Sequence, residues 1–460
     1  MTINVKASLD RAIIFLLAAV FIAQQLTHWG PLSFLLGSLV FAAIILLMPQ
    51  LKGLTLWLTA FFMAGGVLLL LLQKADARYW FEAAGINVTL VTLFVFAPMF
   101  GIPVRLPDYV AALKRFYETG VRSRTALFTG TQVLTQILGA FINVGSIPVV
   151  YHLTFVKPQP GIMSRLLANA MNRGFGGAIF WSPYFAAMTL VTSALSVYWS
   201  SVLPYLLGLS LISVLVSLAV DFRGIRMKED PPDDEAVHPS DEIPSASRDH
   251  ARFPIGLGIY LIAAIAIILL LERLVNLPMV LITCMAAVFF PLIWCLAKGA
   301  MTTYRQGLAN HVKVTLPALQ KEITLFLAAG FFSGSIGATG FGAYVPEVLE
   351  KIPLPISLSF SIFTIALITL TSLIGLHPIV PVTILATGID PLAVHISPVY
   401  FAILLLGSWG ISNPISPASA VNNLLAGMVK KPVFELAGPN YKYAAAMALV
   451  LLLYVAAVFS

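Results

Sequence analysis

Long apolar runs alternate with short polar breaks along this chain, and the run lengths suit a bilayer. Runs over 12–27, 32–48, 54–72 and 88–104 open the chain. Runs over 197–220, 255–271, 278–297, 323–337 and 443–460 follow. A helix of ~20 residues crosses a hydrocarbon core of ~30 Å, so each is read as a membrane helix. The stretch QKADARYWFEAAG after Leu72 reads as a polar loop. RLPDYVAALKRFYETGVRSR is too charged to span, yet Tyr109, Val110, Leu113, Phe116 and Tyr117 recur at helical spacing. That pattern predicts an amphipathic helix on the membrane surface. GAYVPEVLEKIP is a shorter surface segment in the second half.

Four apolar stretches are interrupted instead of continuous. Residues 126–156 are split by Asn143, Gly145, Ser146 and Pro148, and read as a hairpin that enters and leaves by one face. Residues 171–196 are broken at Gly176, Gly177, Ser182 and Pro183. Residues 354–388 form a second hairpin, with Ser372, Gly375 and His377 at its tip. Residues 396–428 hold Gly407, Gly410, Pro414 and Pro417 in a polar crowd of Ser408, Ser412, Asn413, Ser416, Ser419, Asn422 and Asn423. Proline removes a backbone donor and clashes with the previous turn. In hydrocarbon every freed backbone group needs a partner, so a broken helix is tolerated only inside protein or along a watery cavity. The plainer alternative is a proline-kinked packing helix with small residues at its interface.

The order of elements repeats. Helices, a surface helix, a split hairpin, a broken helix and a final helix occur over 1–220 and again over 254–460. Local echoes follow the same order: VGSIPVV at 144–150 with IGLHPIV at 374–380, and GAIFWSPYFA at 177–186 with GISNPISPASA at 410–420. Between the halves, 221–253 is rich in Pro, Ser and acid, and reads as a flexible cytoplasmic linker. With the N-terminus inside, only Lys74, Arg78, Arg273 and Lys351 of the 27 basic residues fall outside. Basic loops stay cytoplasmic, so the expected protein lies in the plasma (bacterial inner) membrane with an external C-terminus. The halves then have inverted topology, and inverted repeats with broken helices near the midplane are a transporter's architecture.

Composition narrows the classes. With 59% hydrophobic and 10% charged residues among 460, the chain is a polytopic all-α membrane protein. The net charge of +7 resides in loops that orient it and does not point to nucleic acid. Cys284 and Cys295 share one apolar segment and suit a core. No paired carboxylates or zinc-ligand spacing support a membrane-embedded enzyme, the rival class.

The residues expected to bind solute or ion are Asn143, Gly145, Ser146, Gly177, Ser182, Ser372, Gly375, His377, Ser412, Asn413, Ser416 and Ser419. Half-helix N-termini present free N–H groups, which suit an anion. No Arg or Lys is expected near the midplane of these segments, so amides and hydroxyls would do the binding. Sodium prefers hard oxygens, which Asn143, Ser146, Ser412 and Asn413 supply. Proton coupling needs a titrating group, for which His377 and His152 are the candidates. No other metal and no cofactor is expected.

Over nearly its whole length the chain resembles the ion transporter superfamily, and within it the divalent anion/sodium symporter family. The resemblance implies about eleven membrane helices, two oppositely entering re-entrant hairpins, a homodimer in membrane lipid, and a mobile part that moves like an elevator against a scaffold. Members carry Ser-Asn-Thr at each hairpin tip, for a carboxylate and sodium. Here the first tip reads Asn143-Val144-Gly145-Ser146 and the second Thr371-Ser372-Leu373-Ile374-Gly375-Leu376-His377. Ser182-Pro183 and Ser416-Pro417 stand where the family's broken helices carry Thr-Pro-Pro-like residues. The expected function is secondary active transport of a small organic anion of the carboxylate class, coupled to sodium or protons. Export or antiport of an inorganic or weakly charged solute is the alternative.

Overall fold

The computed structural model describes residues 2–120, 123–155, 159, 161–227 and 254–459. The described residues are helical, with no strand among them. Twelve helices among them are long and apolar enough to cross a membrane, or thirteen if the bent pair Gln320–Gly337 and Gly342–Leu349 counts as one span. Most of the expected linker, 228–253, lies outside the described residues.

The first helices are α1 (Thr2–Thr27), α2 (Pro31–Leu47), α3 (Gly53–Leu72), α4 (Ala77–Gly85) and α5 (Val88–Phe96). The stretch read as a polar loop is therefore largely helical. Its Ala83 and Ala84 are buried, because α4 lays this small-residue face against α2 and the later α16. A run of 3-10 turns leads to α6 (Pro107–Gly120), the expected amphipathic helix. Tyr109, Leu113 and Tyr117 are its buried face.

Then come α7 (Arg124–Ile142), α8 (Ser146–Thr154), α9 (Gly161–Trp181), α10 (Ala186–Ala194) and α11 (Trp199–Arg226). Two sequence expectations need correction here. First, α9 begins ten residues before Met171, so a stretch read as cytoplasmic loop is helix. Second, Gly176 and Gly177 lie within regular α9, and the break comes only at 182–185. A glycine costs a helix only about 1 kcal/mol, whereas Pro183 removes a donor outright. Similarly, α11 runs through Asp221, which the sequence reading assigned to the linker.

The second half continues with α12 (Ile255–Leu274), α13 (Met279–Ala297), α14 (Met301–Asn310), a π-turn over 311–315, and α15 (Leu316–Ala318). It goes on with α16 (Gln320–Gly337), α17 (Phe341–Leu349), α18 (Ile356–Leu373) and α19 (Ile379–Gly388). The chain closes with α20 (Pro398–Ser412), α21 (Ala420–Val429), α22 (Val433–Ala437) and α23 (Tyr441–Phe459). Gly407 and Gly410 are again inside a regular helix, α20, and the break spans 413–419.

Packing sorts the helices into two groups. In the first, α16 packs on α3 and α4, and α1 on α2 and α5. Gly65 and Gly66 of α3 leave room for Phe332 and Phe331 of α16. Asn87 Nδ2 donates to the Phe326 carbonyl at 2.9 Å. In the second group, α9 packs on α7, α11 and α20, while α20 also packs on α18 and α23. The spans containing α9 and α20 are 94% and 89% buried, whereas α12 is 28% buried. The two spans broken at 182–185 and 413–419 are thus the most enclosed, which is where irregular backbone is tolerated in a bilayer.

Helix direction follows from the contacts. Gln132 lies against Gly174, Gln136 against Gly177, and the Ala140 carbonyl accepts from Ser182 Oγ. Both positions rise together, so α7 and α9 are parallel. The chain must therefore turn back between them, and α8 belongs to that return. Asn143 makes the turn, with φ of 51°, a conformation Asn tolerates better than most residues. In the second half Phe360 packs on Phe401 near the starts of α18 and α20. The 3-10 turn ending α20 also touches α18, so these helices run parallel too. The reversal between them contains Gly375, at φ of 90°.

Candidate functional site

Each break is built from a proline and the hydroxyls or amides that take up what it frees. In break one, Ser182 Oγ donates to the Ala140 carbonyl at 2.6 Å and accepts from the Tyr184 amide at 3.2 Å. The Trp181 carbonyl accepts from Trp199 Nε1 at 2.9 Å. In break two, Asn422 Nδ2 donates to the carbonyls of Pro414 at 3.0 Å and Ser416 at 2.8 Å. Asn423 Nδ2 donates to those of Pro417 and Ser419. Asn172 of α9 reaches across to donate to Asn422 Oδ1 at 2.5 Å.

The expected site residues fall into two neighbourhoods. Asn143 and break one flank a narrow cleft of about 20 Å³, lined also by Gly139, Ala140, Tyr184, Phe185, Phe94 of α5 and Pro98 of the 3-10 turn after it. That is room for little more than one water. Asn143 is locally occupied: its Oδ1 accepts from the Val144 amide, and its carbonyl accepts from Ser146 Oγ at 2.8 Å. Gly145 backs onto the Arg105 guanidinium. Gly177 is packed by Gln136.

At the second reversal Ser372 Oγ donates to the Ile368 carbonyl within its own helix. His377 Nδ1 accepts from the Ile379 amide at the start of α19. Its ring packs between Phe326 at 5.1 Å and Trp409 at 5.8 Å. The first of these joins the second reversal to α16, and the second joins it to α20. Ser412 Oγ donates to the Trp409 carbonyl. Ser419 Oγ donates to Asn413 Oδ1 at 3.1 Å. Asn413 Nδ2 and Ser416 Oγ are buried without a partner, so break two keeps donor and acceptor capacity in reserve. No hydrogen bond among the described residues joins Asn143 or Ser146 to Ser412 or Asn413. His152 is exposed on α8, outside both neighbourhoods.

Arg173, which the sequence reading placed in a cytoplasmic segment, is a buried cation within one of the interrupted helices. It lies mid-α9 with its side chain 0% exposed. Nη1 donates to Asp221 at 2.7 Å and to Ser217 Oγ at 3.0 Å. Nε donates to Asn440 Oδ1 at 2.8 Å, and the guanidinium lies over the Tyr443 ring. The pair ties α9 to α11 and α23, with charge balanced by Asp221. Asn169, Arg173 and Gly177 at successive helical turns were the available signal. A partner 48 positions away was not legible.

No family model and no curated protein matches the chain. Among solved structures it is similar to the YdaH transporter of Alcanivorax borkumensis, described as having an unusual topology. The TM-score is 0.58 at 15% identity, over 87% of this chain and 98% of that one. At that identity the likeness establishes the fold alone, one shared with that transporter. It does not single out the divalent anion/sodium symporters.

Proposed function

We propose that the protein is a secondary active transporter of a small organic anion, coupled to sodium or protons. The transporter fold and many apolar helices support transport itself. One observation carries the siting of the solute: two interrupted helices cross in the most enclosed part of the molecule, and break two holds buried polar atoms without partners. On this reading the halves are inverted repeats, and the reversals at Asn143 and Gly375 are the tips of re-entrant hairpins. The parallel packing of α7 with α9 and α18 with α20 supports those hairpins, since each connection must return the length of a helix. The group of α7–α11 and α18–α23 is the mobile part, and the group around α3, α4 and α16 the scaffold. The solute meets amides and hydroxyls from Asn143, Ser182, Asn413, Ser416 and Ser419.

A second reading, export or exchange of a weakly charged solute, is favoured by the Arg173–Asp221 pair. The cation in the crossing helix is already neutralised and offers an anion little net attraction.

The test is thermal stabilisation of the purified protein by mono-, di- and tricarboxylates and oxyanions, in sodium and in choline, at two pH values. Ligand at a hundred times its dissociation constant adds about 2.7 kcal/mol. A sodium-dependent carboxylate shift is the expected outcome. No shift with any anion sinks the organic-anion reading and leaves weakly charged solutes.

A further inference from the structure

Arg105 differs from Arg173 in having no counter-ion. It ends the run of 3-10 turns that follows α5. Among the described residues its guanidinium enters no hydrogen bond and no ion pair. The ion pairs there join Arg78 to Glu82, Lys114 to Glu118, Arg173 to Asp221 and Lys431 to Glu435. Asp108, three residues on, is therefore not its partner. The charge is felt nearby, since it disfavours the protonated form of the buried His311. Arg105 is also exposed, so a solute can reach it.

This unpaired cation stands against the first reversal. Phe94 and Pro98 line the narrow cleft together with Ala140 and Asn143. Further along, a Cβ on Gly101 would lie 2.3 Å from Ile142, and a Cβ on Gly145 would lie 3.0 Å from Arg105 Nη2. The stretch from Phe94 to Arg105 thus runs alongside that from Ala140 to Gly145, with Arg105 at the end of the row. Asn143 Nδ2 likewise donates to nothing among the described residues, although Asn143 Oδ1 and its carbonyl are both occupied. A guanidinium is a planar fork that meets a carboxylate with two parallel N–H bonds. The turns carrying Arg105 pack on α13, which packs on α5. Arg105 therefore belongs with the first group of helices, and Gly145 follows α7 of the second.

We propose that Arg105 is a specificity-determining residue, whose guanidinium binds a carboxylate group of the solute beside the first reversal. It lies outside the reversals and breaks expected to hold the solute, and it rests on the transporter reading. An uncharged solute gains nothing from it, so this cation favours anions over the weakly charged alternative. Because Arg105 and Gly145 belong to different groups, they meet in this position of the mobile part and separate when it moves. The anion is then held more tightly in this state than in the other, and the difference in affinity resides in a scaffold charge.

The experiment is a melting curve of the purified full chain against butyrate, succinate and citrate, with uncharged succinamide as reference. In Arg105→Gln the half-saturating concentration of the stabilising carboxylate rises at least about tenfold. Any response to succinamide is unchanged. Arg105→Lys, which keeps the charge and loses the fork, falls between the two. A residue that only supports the fold would weaken the charged and uncharged ligands alike, and that result overturns the proposal. Phosphatidylglycerol added to the detergent forms a second arm. If Arg105→Gln loses stabilisation by this lipid and keeps that by the carboxylate, the guanidinium serves a headgroup phosphate and the proposal falls. An unchanged carboxylate response in Arg105→Gln overturns it while leaving the organic-anion reading intact. No carboxylate response in the native protein overturns both.

Discussion

Gly176 and Gly410 face one another reciprocally. A Cβ on Gly176 would lie 2.5 Å from the Gly410 carbonyl oxygen, and a Cβ on Gly410 would lie 2.6 Å from that of Gly176. Each glycine therefore admits the backbone of the other helix, as small residues do where membrane helices cross closely. Reciprocity of this kind marks a two-fold relation, here between segments of one chain. This close approach lies six residues before Ser182 in one helix and six before Ser416 in the other.

Gly176→Ala forces α9 and α20 apart at backbone, which cannot swing away like a side chain. A loss of about 1–3 kcal/mol is expected, the usual range for overpacking. Gly176→Ala with Gly410→Ala costs less than the sum of the two, because both relieve themselves by the same separation. Melting curves of the three variants check this, and full additivity would argue against a shared contact.

Arg173→Leu leaves Asp221 facing a buried seam without its cation, and Asp221→Asn leaves the guanidinium without its anion. Breaking a buried pair from one side costs about 3–5 kcal/mol. Arg173→Met combined with Asp221→Leu recovers much of that, since neither charge is then stranded. Chemical or thermal denaturation in detergent separates the cases. A double variant as unstable as the worse single one would mean that Asn440 and Ser217 contribute more than the ion pair.

Asn413→Ala removes a buried Nδ2 that bonds to nothing and an Oδ1 that accepts only from Ser419. Stability should fall by no more than about 1 kcal/mol, the typical net worth of one hydrogen bond. Solute affinity should fall at least tenfold, or about 1.4 kcal/mol. Unchanged binding in a folded Asn413→Ala protein would remove break two from the solute site.

His311, outside the membrane-length spans, provides a pH dependence. It is buried, with Nε2 2.8 Å from the Val95 carbonyl and Nδ1 without a partner. Burial holds its pKa below the ordinary histidine value; the Val95 bond opposes this, and Arg105 reinforces it. The unfolded chain then binds the proton more readily than the folded one. The stability this neutral histidine contributes is full above pH ~6.5 and is lost as pH falls toward the folded-state pKa. Melting temperatures at pH 7.5 and 5.5 should differ less in His311→Gln, whose amide can still donate to Val95. An equal drop in both proteins would place the titration elsewhere.

The membrane class and most of the element order were legible in the sequence. Bilayer thickness and the cost of unpaired backbone leave few ways to arrange such long apolar runs, so the helices and interruptions could be read from composition and prolines. It misplaced the interruptions by several residues, because glycine in a run looks like a breaker until its neighbours are known. Gly176 and Gly410 turned out to be crossing points within intact helices. What the polar residues bond to depends on long-range packing. Ser146, Ser372 and Ser412 spend their hydroxyls on nearby backbone, whereas Asn413 and Ser416 keep atoms free. Arg173 looked like a loop charge until Asp221, Ser217 and Asn440 were seen around it, and Asn172 gained meaning only beside Asn422. These pairings join residues far apart in the chain, and local periodicity carries no information about which distant side chain a buried polar atom will meet.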